Sequence, residues 1–179
     1  ALQTLAGRTL IEHIIVKLAD VAIDDVVIIH SPEAKKDFEK KIGPNKKITY
    51  VEQEQALGTA HALKTALPHI TSDNLLVLLG DVPLLSRRTI KKLQKQTLDN
   101  DLVVLTGEVK NPSGYGRIIK DSEGKPMAII EELDCDETQR EIKEINSGIM
   151  AFKTNAAKNL VERIKPSLKK NEYYLTDAI

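Results

Sequence analysis

Apolar positions along the chain alternate between two spacings. Leu10, Ile14, Ile15 and Leu18 recur at helical intervals and predict a helix over residues 9–22; Val26 to Ile29 then form a continuous β-branched run ending at His30 and Ser31, which predicts a buried strand. The alternation continues with a charged helix over 33–41, a strand over 47–52, a helix over 59–67 and a strongly apolar strand over 75–79, followed by a helix over 89–98 and a strand over 102–109. Such a series argues for a largely parallel sheet covered by helices. After Asn111, Gly and Pro punctuate the chain, and short strands over 117–120 and 126–133 flank the turn signal Ser122, Glu123, Gly124, predicting a hairpin insertion. A strand over 145–152 returns to the core, and a helix over 156–164 carries Leu160, Val161 and Ile164 on one face. The expected architecture is α/β: a mixed, mostly parallel sheet flanked by helices, with a small hairpin insertion, in a single domain.

Composition narrows the function classes. The 26 basic and 26 acidic side chains cancel, without a long block of one sign, so neither a nucleic acid nor an acidic membrane is the expected partner. No apolar run approaches the roughly 20 residues of a membrane helix. Cys135 is the single cysteine, which excludes a disulfide within the chain, and the histidines at 13, 30, 61 and 69 lack the close pairing of a zinc site. A small-molecule ligand is the remaining default.

In an open α/β sheet, ligands bind beyond the carboxyl ends of the strands. Three such places carry suggestive chemistry. Gly80, Asp81, Val82 and Pro83 follow the apolar run 75–79 and deliver a carboxylate suited to magnesium, although Gly-Asp before Pro is also ordinary turn chemistry. Between a strand and a helix, Gln53 offers an amide able to read a base edge, Gly58 permits close backbone approach, and Thr59 is either part of a ligand site or simply a helix cap. His61 reads as a helix-surface or partly buried histidine. The third place is Gly114, Tyr115, Gly116, Arg117, whose amides and Arg suit a sugar or phosphate. Glu131 and Asn146 lie near later strand ends and suit sugar hydroxyls, while Asn146, Ser147, Gly148 also reads as a bulge or bend.

Taken in order, QEQALGTAHA (53–62), LGDVPL (79–84), GYGR (114–117), Ile130 to Glu132, INSGI (145–149) and EYYLTD (172–177) resemble the uridyltransferase half of the bacterial bifunctional N-acetylglucosamine-1-phosphate uridyltransferases. The resemblance covers nearly the whole chain. It implies a Rossmann-like nucleotidyltransferase fold, magnesium as cofactor, and transfer from UTP to N-acetylglucosamine 1-phosphate, giving UDP-N-acetylglucosamine and pyrophosphate in the cytoplasm for envelope polysaccharide. By the same resemblance, Gln53, Gly58 and Thr59 contact the uracil, Gly80 lies against substrate and Asp81 ligates the metal. Gly116, Glu131 and Asn146 would bind the acetamido sugar, with Tyr174 and Thr176 near its phosphate. The family's Gly-rich loop would precede Ala1; a second metal-binding Asn and a trimerising β-helix with acetyltransferase activity would follow Ile179. Residues 1–179 are therefore expected to be one incomplete transferase domain, inactive alone. The chain departs from the family at Leu133, where relatives commonly carry Lys. Competing readings are a nucleotidyltransferase for another sugar or base and a non-catalytic nucleotide-sugar binding protein.

Overall fold

The computed structural model describes residues 1–23, 25–167 and 171–179. A two-residue antiparallel pair, β1 (Thr4–Leu5) and β2 (Arg8–Thr9), leads into α1 (Leu10–Ala19). Thr9 and Glu12 form a capping box at its start: the Glu12 carboxylate accepts the Thr9 N–H at 2.7 Å. The helix stops short of the expected residue 22, where Ala22 takes a left-handed φ of 58°. Then follow β3 (Val26–His30), α2 (Lys35–Ile42), β4 (Ile48–Glu52), α3 (Thr59–Ala66), β5 (Asn74–Val77), α4 (Arg87–Thr97) and β6 (Leu102–Glu108). The hairpin strands are β7 (Arg117–Lys120) and β8 (Pro126–Ile130); α5 (Glu137–Arg140), β9 (Glu144–Lys153) and α6 (Thr154–Val161) complete the series. Every strand and helix expected from the apolar pattern is present.

Both pairing types occur, but in separate hydrogen-bonded sheets, a parallel pair and a five-stranded antiparallel sheet, and these pairings differ from the expectation of a mostly parallel one. Among the described residues only β3 and β4 pair in parallel; β5 and β6 each pair antiparallel with β9, as does β7, and β7 pairs antiparallel with β8. The physical reason is the position of β9. Because β5 and β6 both run opposite to β9, they run parallel to each other, as a helical crossover through α4 requires. The ten-residue β9 lies between them, so their common direction never becomes a hydrogen-bonded parallel pair. The hairpin, expected as an insertion, joins this sheet through Arg117 opposite Ile145.

Alternate residues of β9 serve two helical layers. Met150 and Phe152, 1% and 0% exposed, pack with Leu63 of α3 and Ala157 and Val161 of α6; Ile149 and Ala151, 1% and 3% exposed, face Leu93 of α4. Burying each large side chain here contributes about 1.5–3 kcal/mol. A further cluster joins α1 and α2 to β3 and β4 through Ile14, Leu18, Ile28, Phe38 and Ile48, and Leu76 of β5 packs on it. No helix among the described residues is long and apolar enough to cross a membrane.

Candidate active site

Beyond Glu52 the ladder continues for one residue, because the Gln53 N–H donates to the His30 carbonyl at 2.8 Å. The chain then turns into α3 through Gly58, whose φ is 99° and ψ 177°. A Cβ at Gly58 would stand 2.5 Å from the Tyr173 carbonyl oxygen and 2.9 Å from its nitrogen, so this approach requires glycine. The segment 173–176 is bound to the turn: the Tyr173 N–H donates to Leu57 O at 2.7 Å and the Ala60 N–H to Tyr173 O at 2.9 Å. Thr59 is not the helix cap. It is the first residue of α3, Gly58 holds the cap position, and Thr59 Oγ1 accepts from the Leu175 N–H at 2.9 Å. The Gln53 side chain turns toward α3, its Nε2 lying 2.8 Å from His61 Nδ1 and 3.4 Å from Gly58 O. Helical Cβ atoms tilt toward the N-terminus, which brings His61, in the first turn, back over Gln53. Sequence reasoning set His61 aside, and its spacing from Gln53 is the signal that could have found it.

The same C-terminal segment reaches a second cluster. Thr176 Oγ1 donates to Glu131 Oε1 at 2.9 Å, just past β8. Glu131 lies against Gly116, where a Cβ would be 3.5 Å from both carboxylate oxygens and 3.0 Å from Ile129 Cγ2. The Gly116 carbonyl accepts the Asn146 N–H at 2.8 Å. Asn146 Oδ1 accepts from Gly148 N–H at 3.0 Å, so the bend expected at this triplet exists and engages the oxygen end of the amide. Loss of water contact pushes the Tyr174 hydroxyl above its usual range, and Glu172, Glu131 and Asp134 push it the same way. Tyr174 and Glu131 therefore share one electrostatic neighbourhood.

The Arg117 side chain is turned inward, where the reading of its loop has it facing a sugar or phosphate. It is 1% exposed; its guanidinium donates to the Tyr115 carbonyl and, at 2.6 Å, to Glu132, which also accepts the Gly114 N–H at 3.2 Å. The side chain is thus a buried strut that shapes the glycine loop. The Arg117 hydrogen bond holds the Glu132 carboxyl below the usual carboxylate value of 4.5, with the Gly114 amide assisting. A depressed folded value means that this stabilisation is complete above pH 4.5 and is lost as pH falls through the lower folded value. The Gly114 amide resonance should accordingly move only at acidic pH, and Glu132→Gln should flatten that titration; a wild-type resonance insensitive to acid would refute the strut.

Gly80 and Asp81 leave the sheet where β9 bends. Leu79 occupies the space beside Gly148, where a Cβ would fall 2.6 Å from Leu79 Cδ1. The turn is closed by the Val82 N–H on Leu79 O at 3.2 Å, Asp81 is exposed, and Gly80 faces Ala1, whose Cβ would be 3.0 Å from one on Gly80. Among the described residues no three His, Cys, Asp or Glu side chains are grouped to hold a metal ion. Asp81 offers an exposed carboxylate, a donor that suits a hard cation whose other ligands are phosphate oxygens and water. Leu133 is 55% exposed on the turn after Glu131. A shallow groove between α4 and β6 holds none of these residues.

One continuous chain of contacts thus runs from Gln53, Gly58 and Thr59 through 173–176 to Glu131, Gly116 and Asn146, and on through Gly148 and Leu79 to Gly80 and Asp81. Residues 1–143 match the family described as the MobA-like NTP transferase domain. The chain belongs to this family. The transferase domain is 42% identical over 178 residues to the bifunctional protein GlmU of Francisella tularensis subsp. novicida (strain U112), covering 99% of this chain and 39% of that protein. It is equally similar to the GlmU of Francisella tularensis subsp. tularensis (strain SCHU S4 / Schu 4), with the same 39% coverage, so it spans about two fifths of these relatives. Among solved structures, a UDP-glucose pyrophosphorylase complexed with UDP-glucose superposes with a TM-score of 0.71 at 20% identity, over 99% of this chain and 75% of that one. HddC from Yersinia pseudotuberculosis superposes with a TM-score of 0.67 at 18% identity, over 98% and 72%. At these identities the two structures establish the fold of the transferase domain, an α/β sheet of Rossmann-like type.

Proposed function

We propose that this transferase domain, comprising residues 1–179, transfers a uridylyl group from UTP to N-acetylglucosamine 1-phosphate, giving UDP-N-acetylglucosamine and pyrophosphate. The observation that carries the reading is the hydrogen-bonded run from the Gln53 turn through Thr176 to Glu131, which packs against Gly116; in our reading it joins a base-facing turn to a hydroxyl-facing cluster. The likeness to bifunctional GlmU proteins supports the choice of substrates.

In this reading Gln53 meets the uracil and Gly58 and Thr59 line its edge. Glu131 accepts from sugar hydroxyls, Asn146 Nδ2 donates to the acetamido sugar, and the close-packed Gly116 leaves room for the ring. Gly80 lies against substrate, and Tyr174 and Thr176 approach the sugar phosphate. A phosphate oxygen of the sugar attacks the α-phosphorus of UTP in line; the new P–O bond forms as the bond to the β-phosphate breaks, and pyrophosphate carries away the electron pair. No protein nucleophile is needed, so alignment and charge neutralisation supply the catalysis. Asp81 would hold a divalent cation, Mg2+ in our reading, which supplies charge neutralisation at the phosphates. We further place the complete protein in the cytoplasm as a trimer assembled through a C-terminal β-helix.

The test is pyrophosphate release by the complete protein with UTP, Mg2+ and N-acetylglucosamine 1-phosphate, compared with glucose 1-phosphate. Preference for the acetamido sugar supports the proposal; equal or greater turnover of glucose 1-phosphate replaces it with another sugar specificity. Thr176→Val keeps the volume of a buried side chain but removes its bond to Glu131. About 1 kcal/mol of lost positioning should raise KM for the sugar phosphate roughly fivefold, with KM for UTP little changed.

A further inference from the structure

We infer that His61 sets the orientation of the Gln53 amide and thereby selects which hydrogen-bonding face the site shows to a nucleotide base. The inference rests on the proposed role of Gln53 against the base and adds a positioning residue behind it.

A Gln amide has two different ends: Nε2 carries two protons and Oε1 only accepts. At Gln53 both neighbours within reach of Nε2 belong to the turn and helix, His61 Nδ1 at 2.8 Å and Gly58 O at 3.4 Å. The Gly58 carbonyl has no proton to give, so the end facing it is the NH2 group. Nδ1 of His61 must then be the bare nitrogen that accepts, and the ring carries its proton on Nε2. Both amide protons are directed inward, and among the described residues no protein group donates to Oε1. What remains for a ligand is an acceptor.

An acceptor matches the N3–H of uracil. It opposes cytosine, whose N3 is itself an acceptor at the corresponding edge. Rotating the amide by 180° would present NH2 and reverse that preference. Gly58 O alone, at 3.4 Å, is a weak restraint against rotation, whereas the 2.8 Å contact to His61 is a full-strength one. His61 therefore contributes to discrimination without touching the base.

Two variants separate this role from simple packing. His61→Phe keeps a ring and removes the acceptor; His61→Asn places Oδ1 about where Nδ1 stood and restores it. With the complete protein and saturating sugar phosphate, H61F should raise KM for UTP and lower the UTP-to-CTP ratio of kcat/KM, each roughly tenfold, while KM for the sugar phosphate stays within about twofold. H61N should return both values toward wild type. An H61F enzyme with the wild-type ratio, or H61N and H61F equally impaired, overturns the inference alone. A wild-type enzyme indifferent to the base overturns the proposed function and this inference with it. Independently of any variant, the ring 15N shifts of wild-type His61 should report a proton on Nε2; a proton on Nδ1 overturns the inference.

Discussion

Replacing Asp81 with Asn in the complete protein should lower kcat roughly a hundred- to a thousandfold and leave the unfolding midpoint nearly unchanged. The two halves of this expectation have separate grounds. Asp81 is exposed in the turn after β5, with no buried partner among the described residues whose loss would destabilise the fold, and surface substitutions of this kind usually fall within about 0.5 kcal/mol. Its proposed work is electrostatic: Asn keeps the shape and an acceptor oxygen but removes the negative charge that a divalent cation requires. Pyrophosphate release and thermal unfolding, measured on the same preparation, check both halves. Turnover equal to wild type in a folded variant would remove Asp81 from the chemistry; a large drop in the midpoint would make it a structural residue.

The largest effect on stability is expected at Gly58. Its φ of 99° with ψ of 177° lies in a region used almost only by glycine, and residues forced there cost about 1–3 kcal/mol. Gly58→Ala adds a steric term, since the new Cβ would meet the Tyr173 backbone oxygen at 2.5 Å and its nitrogen at 2.9 Å. Backbone cannot swing aside as a side-chain tip can. The clamp formed by Leu57, Ala60 and Tyr173 must therefore open, and the combined cost is expected at about 3–5 kcal/mol by urea unfolding. Because 173–176 also carries Thr176 to Glu131, KM should rise for both substrates at once. Gly148→Ala makes a useful contrast: its Cβ would meet the tip of Leu79, which can move, so its cost should be smaller despite a φ of 76°. A G58A protein as stable as wild type would show that the close approach to Tyr173 is not maintained in solution.

The elements were legible because their signals are local. The β-branched run 26–29, the apolar run 75–79 and the helical spacing of Leu10, Ile14 and Leu18 each reflect a short stretch choosing its buried face, and the structure places a strand or helix at each. Turn positions were legible in part: Gly58 and the bend at Asn146, Ser147, Gly148 could be picked out as turn residues, whereas the contacts that exclude a Cβ there, with Tyr173 and Leu79, are long-range. The ordered motifs pointed to a nucleotidyltransferase by resemblance.

Long-range partners were not legible. Strand direction follows from the helix between two strands, but adjacency does not, and only the folded chain inserted β9 between β5 and β6. Arg117 in a glycine-rich loop reads as a ligand-facing cation until Glu132, fifteen residues away, is seen to hold it. Thr59 at a helix start reads as a cap until Leu175, distant by 116 residues, is seen donating to its hydroxyl. His61 is an intermediate case: it is partly buried, as its sequence allowed, and only eight residues from Gln53, and the turn into α3 brings the two side chains together. The physical reason is common to the first three. Propensity and periodicity are properties of neighbouring residues, whereas a hydrogen bond between distant groups exists only after loop closure has brought them together, and nothing in either local sequence records the other.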